Sequence, residues 1–246
     1  MIGRKIIFKD VINSTNNYVA NLVLAGEMDH GTVILADHQT DGKGQREAVW
    51  ESEPYLNLIF STWIKHENMA VNRQIALSQL VSLAIVDLLK HFGISAVIKW
   101  PNDILIGSSK IAGVLIENQI GQIGLKSSII GIGMNLNQNK FENFNATSLS
   151  IELNRMVDVK EVAFQLIEKL NQRYLQFKQN EIEDLNLAYH DKLWLKGIES
   201  QFSDLNGIFE GYIHGVDDQG RLIVEVQGEL KYFQHKEIVF LERKMK

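Results

Sequence analysis

The chain has 246 residues, with 25 Lys and Arg against 30 Asp and Glu, no cysteine and two prolines. Its length predicts one or two domains with a sizeable core, and its 45% hydrophobic and 22% charged residues exclude a globally disordered chain. The absence of cysteine excludes disulfides, thiolate zinc sites and cysteine nucleophiles, and the net charge of −5 argues against a large basic surface for nucleic acid.

The N-terminal segment contains an apolar run of only three residues, 6–8, which is too short for a secretory signal. No later stretch approaches the roughly 18 apolar residues of a membrane span, so we expect a cytoplasmic protein without a membrane partner. The next segment has apolar residues at helical spacing between Ser14 and Gly26. This pattern predicts a short helix that ends at Gly26.

After this helix, runs rich in strand-forming residues alternate with segments of helical periodicity. The predicted strands are 32–36, 56–64, 96–100, 104–106, 111–118 and 124–132, and the predicted helices are 71–92, 147–153, 159–177 and 182–193. The polar stretch 38–54, which contains glycines, is long for a connection between strands. Such stretches are typical of functional or mobile loops.

The composition shifts at 194–197, and only short strand patterns follow, at 207–216, 222–226, 230–233 and 238–241. With a hairpin turn at 218–220, they predict a small antiparallel barrel. The sequence therefore predicts an α+β fold of two domains. Residues 1–195 form a mixed central sheet with helices, and residues 196–246 form the barrel.

Several common site motifs are missing from this sequence. The run 42–44 (GKG) lacks the upstream glycine of a Walker A loop, and 131–135 (GIGMN) lacks the third glycine of a dinucleotide fingerprint. The seven histidines have no short spacing that pairs them, so they indicate no metal site.

Four segments remain as candidates, and each also has a purely structural interpretation. The run 14–16 (STN) either caps the helix or presents hydroxyl, amide and backbone N–H groups to a polar ligand, and both can hold. The stretch 39–50 is either a flexible surface loop or a ligand-covering loop. In the second case Gly42 and Gly44 allow close backbone approach, nearby cations hold phosphate and Trp50 covers a ring.

The other two candidate segments lie in the strand-rich region. In the run 99–103 (KWPND), the proline predicts a sharp turn that presents polar side chains at one mouth of the sheet, or a plain hairpin turn. Lys110 opens an apolar strand, either as an edge charge or as a cation that faces a cleft. Gly113 inside that strand indicates close approach of another group.

Together, in this order and spacing, these segments resemble the catalytic module of biotin protein ligases. The resemblance is carried by the STN run, the glycine–basic loop that ends at Trp50, the run 99–104 (KWPNDI), Lys110 followed by IAGVLIE, and the strand 131–137 (GIGMNLN). It covers nearly the whole chain. It extends through the run 146–149 to the terminal strands, which are similar to that family's small SH3-like C-terminal domain. The resemblance also implies the family's class II synthetase-like catalytic fold.

The resemblance implies a two-step reaction that uses ATP and Mg²⁺. Biotin is first activated as biotinyl-5′-AMP and then transferred to a lysine of a biotin carboxyl carrier protein, a partner from a biotin-dependent carboxylase. Such chemistry requires fixed cations around a phosphate and no protein nucleophile, which suits a chain without cysteine. Thr, Asn and Gln side chains can supply the paired hydrogen bonds that a ureido ring needs.

The family's functional positions carry over to this sequence residue by residue. The implied biotin-binding residues are Ser14, Thr15, Asn16, Gln39, Gly42, Lys43, Gly44, Gln45, Trp50, Lys110 and Gly113. The implied nucleotide-binding residues are Arg46, Trp50, Lys99, Asn102, Asp103, Asn135 and Thr147. Catalytic roles fall to Lys110, Arg46 and Asp103, and Asp103 is also the candidate Mg²⁺ ligand.

The chain departs from the family in the biotin loop. The family commonly has the pattern G-R-G-R-x-G-[RN]-x-W, whereas this chain has GKGQREAVW at 42–50. Lys43 keeps the charge of arginine but loses its bidentate fork. Glu47 and Ala48 replace a glycine and a polar or basic residue, so Glu47 is strained if that position needs a positive φ. We therefore expect weaker retention of the adenylate.

Two other functions stay open from the sequence: a lipoate–protein ligase of related fold, and a non-catalytic biotin- or nucleotide-binding module. No DNA-binding role is expected, because the ligase motifs begin at Ser14 and residues 197–246 hold 6 Lys and Arg against 9 Asp and Glu. Ligand-controlled homodimers occur in the resembled family. An exposed strand such as 127–133 could support one here.

Overall fold

The computed structural model describes residues 1–45, 48–141 and 145–241, and it has the predicted α+β architecture. A seven-stranded sheet has the order β1-β2-β3-β7-β6-β5-β4. Its strands are β1 (Ile6–Ile12), β2 (Val33–Gln39), β3 (Leu58–Met69), β4 (Val97–Lys99), β5 (Asp103–Ile106), β6 (Ser109–Gly121) and β7 (Gly124–Met134). The sheet is mixed: β1 and β2 pair parallel, whereas every other pair of neighbouring strands in it is antiparallel.

Helices cover both faces of this sheet. They are α1 (Thr15–Ala25), α2 (Gln74–His91), α3 (Leu149–Leu153), α4 (Val159–Lys178) and α5 (Ile182–Asp191). α1 ends at Gly26, whose left-handed backbone forms the cap that the sequence predicts. α2 is buried along most of its length and packs on α4 and α5, so it lies at the centre of the main core.

The face that carries α1 continues into a polar surface. Ile34, Trp63 and Ile129 pack beneath α1, separately from the main core. Since side chains alternate between the two faces of a strand, Ser61 on β3 and Gly131 on β7 share this face, and the two residues pair directly. The sheet therefore changes on one face from an apolar floor under α1 to a small polar floor beside it.

The C-terminal residues form a second sheet of five antiparallel strands in the order β11-β10-β9-β8-β12. These strands are β8 (Glu199–Asp204), β9 (Gly207–Val216), β10 (Leu222–Val226), β11 (Glu229–Phe233) and β12 (Val239–Phe240). Closure of this sheet into a barrel stays a prediction, as does the domain division at 195/196. Phe202 and Val224 of this sheet belong to the same continuous core as Leu77 of α2 and Phe60 of β3.

Two strands escape prediction from the sequence, and both are weakly patterned. β1 lies at the edge of the large sheet and has no fully buried residue, and the polar pair at 9–10 divides its apolar residues into runs of three and two, so the pattern did not indicate a strand. β8 buries only Ser200 and Phe202 in a run of polar residues. Its strand conformation comes from pairing with β9 and β12.

The predicted dimer strand 127–133 is not exposed in this fold. It lies in β7, and its residues pair with β3 on one side and with β6 on the other. Its backbone groups are therefore already used within the sheet, and this expectation is wrong. In the part of the chain that the structure describes, no helix is long and apolar enough to cross a membrane.

Candidate active site

A cavity of about 310 Å³ opens on the face of the large sheet that carries α1. It lies between the start of α1, the ends of β5, β6 and β7, and residues 43–45 and 48–50. Twelve of the residues named from the sequence line it: Ser14, Thr15, Asn16, Gln39, Lys43, Gly44, Gln45, Trp50, Asn102, Asp103, Lys110 and Gly113. Segments far apart in the sequence thus meet at one place.

The start of α1 forms one wall of the cavity. Ser14 is the N-cap residue, but its side chain makes no capping hydrogen bond, so its hydroxyl is not used by the helix. Thr15 donates its backbone N–H and its hydroxyl to Gln39 Oε1, at 2.7 and 3.0 Å. The Gln39 oxygen is therefore satisfied, and its amide NH₂ group remains as a donor for a ligand.

Asn16 completes this polar wall. Its Nδ2 donates to Glu117 Oε2 at 2.7 Å, while its Oδ1 lies 2.6 Å from Ser61 Oγ. The same Ser61 hydroxyl lies 2.7 Å from Thr15 Oγ1. Since a hydroxyl has one hydrogen, the two acceptors share a single donor. The wall therefore has acceptor capacity left for N–H groups of a ligand.

The opposite side of the cavity carries an ion pair. Lys110 Nζ lies 2.6 Å from Asp103 Oδ1, and each side chain is about a quarter exposed, at 28% and 26%. The pairing of β5 with β6 brings the two residues together. Asn102 fixes the turn between β4 and β5, because its Nδ2 donates to the carbonyl oxygen of Val114 at 2.8 Å. A cation is thus held at the cavity with an acidic partner.

Trp50 lies across two glycines of the sheet. A Cβ atom on Gly133 would overlap the Trp50 ring, and one on Gly113 would lie 3.3 Å from it. Lys110 Nζ lies 5.5 Å from the ring centroid, within the range of a cation–π contact. Glycine is therefore required at Gly133 by the close approach of the indole, and a side chain there would displace the ring.

Residues 42–44 and 48–50 pair with each other as the two antiparallel arms of a narrow hairpin. The Trp50 N–H donates to the carbonyl oxygen of Gly42 at 2.9 Å, and the Gly44 N–H donates to that of Ala48 at 2.7 Å. Gly42 therefore anchors this hairpin rather than lining the cavity. Arg46 and Glu47 lie outside the described residues, so the expectations for them stay predictions.

Three other predicted residues lie away from the cavity. Lys99 Nζ is 5.2 Å from the centroid of the Trp194 ring and 5.4 Å from that of Phe240 on β12, which places its charge at the C-terminal sheet. Asn135 and Thr147 are buried behind Lys110: Asn135 Nδ2 donates to the carbonyl oxygen of Thr147 at 3.1 Å, and the Thr147 N–H donates to that of Lys110 at 2.9 Å. They hold the strand that carries Lys110.

Other residues of the site were not singled out in the sequence as ligand-binding. Gly131 and Gly133 line the cavity, and their spacing of two on one strand is the signal that could have found them. No local sequence pattern distinguishes Ser61 from other serines in strands. His235 and Lys236 reach the cavity from the C-terminal sheet, and no local pattern marks them.

Comparison with known proteins gives a consistent result. The sequence model of the Biotin/lipoate A/B protein ligase family matches residues 8–135. The bifunctional ligase/repressor BirA of Bacillus spizizenii is 32% identical over 94% of this chain and 72% of its own length. The biotin–[acetyl-CoA-carboxylase] ligase of Mycobacterium tuberculosis is 27% identical over 94% of this chain and 88% of its own length.

The fold also matches a solved structure. The biotin protein ligase from Aquifex aeolicus in complex with biotin and ATP superposes with a TM-score of 0.81 and 23% identity. The match covers 98% of this chain and 100% of that chain. The large sheet and the C-terminal sheet therefore both have counterparts in this solved structure.

Proposed function

Because the chain belongs to the biotin/lipoate A/B protein ligase family, we propose that it is an ATP-dependent biotin–protein ligase. It activates biotin as biotinyl-5′-AMP and transfers the biotinyl group to a lysine of a carrier protein. The observation that carries this proposal is the cavity itself. It places unmet hydrogen-bond acceptors of Thr15 and Asn16 opposite the Lys110–Asp103 ion pair.

The polar wall suits the ureido ring of biotin. A ureido ring has two N–H donors and one carbonyl acceptor, and the wall offers acceptors at Thr15 and Asn16 with donors at Ser14 and Gln39. All four residues are buried or half buried, and Thr15, Asn16 and Gln39 are held by other protein groups. They are therefore ordered before the ligand arrives, which reduces the entropy lost on binding.

Lys110 suits the first chemical step. An oxygen of the biotin carboxylate attacks the α-phosphorus of ATP, the bond from that phosphorus to the bridging oxygen breaks, and pyrophosphate leaves. Negative charge builds up on the phosphoryl oxygens in this step, and a fixed ammonium group stabilises it. Asp103 holds Lys110 at 2.6 Å and keeps its charge at the cavity.

The site also fits Mg²⁺ that arrives with ATP. Among the described residues no group of three or more His, Asp or Glu side chains could hold a metal. Mg²⁺ in phosphoryl-transfer sites needs only one or two carboxylates besides phosphates and water, so Asp103 is sufficient as a protein ligand. Bound there, the ion would neutralise phosphate charge.

In the second step, the amine of a carrier lysine attacks the acyl carbon of the mixed anhydride, an amide forms and AMP leaves. The anhydride must first be kept from water. Trp50 and the described arms of the hairpin line the cavity and suit this protective role. The acceptor we propose is a carboxylase carrier domain, in line with the name of the mycobacterial relative. A cytoplasmic location, the absence of DNA regulation and a homodimer stay predictions.

A lipoate–protein ligase is the second candidate, because the family includes such enzymes. The dithiolane ring of lipoate has no N–H group. Since Thr15 and Asn16 share one protein donor, it would leave one of these two acceptors without a donor in a buried wall, which is unfavourable. The structure therefore favours biotin. A non-catalytic binding module is disfavoured, because such a module has no need for Lys110 opposite Asp103.

One experiment separates the three candidates. The protein is incubated with ATP, Mg²⁺ and a carboxyl carrier domain, with either biotin or lipoate, and the labelled carrier is detected by mass spectrometry. We expect labelling with biotin only, and a large loss in Lys110→Ala. Labelling with lipoate would support the second candidate, and no labelling with either ligand would support the third.

A further inference from the structure

Glu117 lies behind the polar wall, where it contacts Asn16 but does not line the cavity. We propose that Glu117 is a positioning residue that sets the specificity of the site, by fixing which end of the Asn16 amide faces the ligand. This inference rests on the proposed biotin ligase function. On this inference, the Glu117 carboxylate determines whether the site accepts a ligand with a ring N–H or a ligand with a ring oxygen at the same place.

The first step of the argument is the chemistry of the Glu117 partner. An ionised carboxylate only accepts hydrogen bonds, so it attracts the NH₂ group of an amide and repels the amide oxygen. Asn16 Nδ2 lies 2.7 Å from Glu117 Oε2, as this requires. The Asn16 oxygen must then face the other way.

The second step is the position of that oxygen. Asn16 is 3% exposed, and its Oδ1 lies 2.6 Å from Ser61 Oγ and against the backbone of Gly131, which lines the cavity. If the amide turned over, its NH₂ would face Ser61 and its oxygen would face the Glu117 carboxylate. The hydroxyl of Ser61 can either donate or accept, so Ser61 does not oppose such a turn. Among the described groups hydrogen-bonded to the Asn16 side chain, Glu117 alone fixes the orientation.

The third step is the consequence for the ligand. With the oxygen turned inward, Asn16 and Thr15 present two acceptors that share the single hydrogen of Ser61. A ligand N–H supplies the missing donor. A ring oxygen in its place would meet an acceptor without any hydrogen between them, and a buried mismatch of this kind strongly disfavours binding.

The test compares biotin with a cyclic carbamate analogue for each ureido nitrogen, in which that N–H is replaced by oxygen. ATP–pyrophosphate exchange gives KM and kcat for activation by the wild type, Glu117→Gln and Glu117→Asp. Glu67→Gln, an exposed carboxylate on β3, is the matched control. A glutamine side chain can donate or accept, so it permits both orientations of Asn16. An aspartate still only accepts.

We expect the wild type, Glu117→Asp and the control to prefer biotin over at least one carbamate by about 100-fold in KM. In Glu117→Gln that ratio falls at least 10-fold, while kcat for biotin changes less than about threefold. An unchanged ratio in Glu117→Gln would overturn the inference. If that variant does not fold, loss of the preference in Glu117→Asp would overturn it equally. Failure of the wild type to activate biotin would instead contradict the proposed function.

Discussion

The two sides of the cavity hold their side chains in different ways. On the α1 side, Thr15, Asn16 and Gln39 are fixed by hydrogen bonds to other protein groups. On the opposite side, Trp50 lies on glycines, and its Nε1 is buried without a partner among the described residues. The first side is held in place by protein groups and keeps acceptor capacity for a ligand. The second side is held by close packing and carries a buried indole N–H that no described group accepts.

This difference separates recognition from chemistry. Changes on the α1 side should mainly alter which ring is bound, as the test of Glu117 examines. Changes on the side of Trp50 and Lys110 should mainly alter activation and retention of the adenylate. Four further predictions examine this second side, from the largest expected effect to the smallest.

Removal of the cavity's ion-paired cation should have the largest effect. We expect Lys110→Ala to lower kcat for adenylate formation by about 100- to 1000-fold, because a fixed charge at the transferring phosphate is lost. KM for biotin should change much less. Pyrophosphate exchange measures both, with the exposed Lys90→Ala as control. A loss of less than about threefold would contradict a catalytic role for Lys110.

Filling the space beneath Trp50 should have the next largest effect. Gly133→Ala places a methyl group into the indole, whereas Gly113→Ala meets the same ring at 3.3 Å. Overpacking of this kind costs about 1–3 kcal/mol, so we expect KM for ATP and biotin to rise about 10- to 100-fold in Gly133→Ala. Gly113→Ala should change them only a few fold. If the two variants raise KM equally and keep their thermal stability, close contact with the Trp50 ring does not restrict binding at this site.

Lys236 should contribute a smaller, nucleotide-specific effect. It lines the cavity from the C-terminal sheet with a left-handed backbone (φ 76°), and it has no ion pair among the described residues. We expect Lys236→Ala to raise KM for ATP about fivefold, less so at high salt, and to leave KM for biotin unchanged. Lys231→Ala, on exposed β11, is the matched control. An equal rise for biotin would contradict a contact with phosphate.

The loop substitution should have the smallest effect. We expect the double variant Glu47→Gly/Ala48→Arg to release biotinyl-AMP about threefold more slowly than the wild type, because it restores a residue free to adopt positive φ and adds a cation. Stopped-flow measurement of adenylate dissociation provides the comparison. Equal dissociation rates in the two proteins would mean that Glu47 and Ala48 do not weaken retention of the adenylate.

The sequence allowed prediction of the parts of the site that depend on local order. The KWPND turn and the Lys110 strand are short, contiguous patterns, and the fold places Asp103 and Lys110 together at the cavity. The helix start at Ser14 was predictable for the same reason. Their functional roles stay predictions, whereas their assembly in one cavity is a property of the structure.

The rest of the site depends on contacts between distant segments. Asn135 and Thr147 are themselves motif residues, but they hold the Lys110 strand from behind through side-chain and backbone hydrogen bonds. Lys99 belongs to the KWPND run and yet lies at the aromatic rings of Trp194 and Phe240. No local pattern distinguishes a side chain that faces a cavity from one that supports it, because that depends on strand pairing and on which face is covered.

The contact between Trp100 and the C-terminal sheet has a consequence for how the protein melts. Trp100 Nε1 donates to the carbonyl oxygen of Gly220 at 3.0 Å, and one continuous core extends from α2 to β10. Neither sheet can lose its packing without exposing apolar surface of the other. Heat should therefore be absorbed in a single transition, with equal calorimetric and van't Hoff enthalpies.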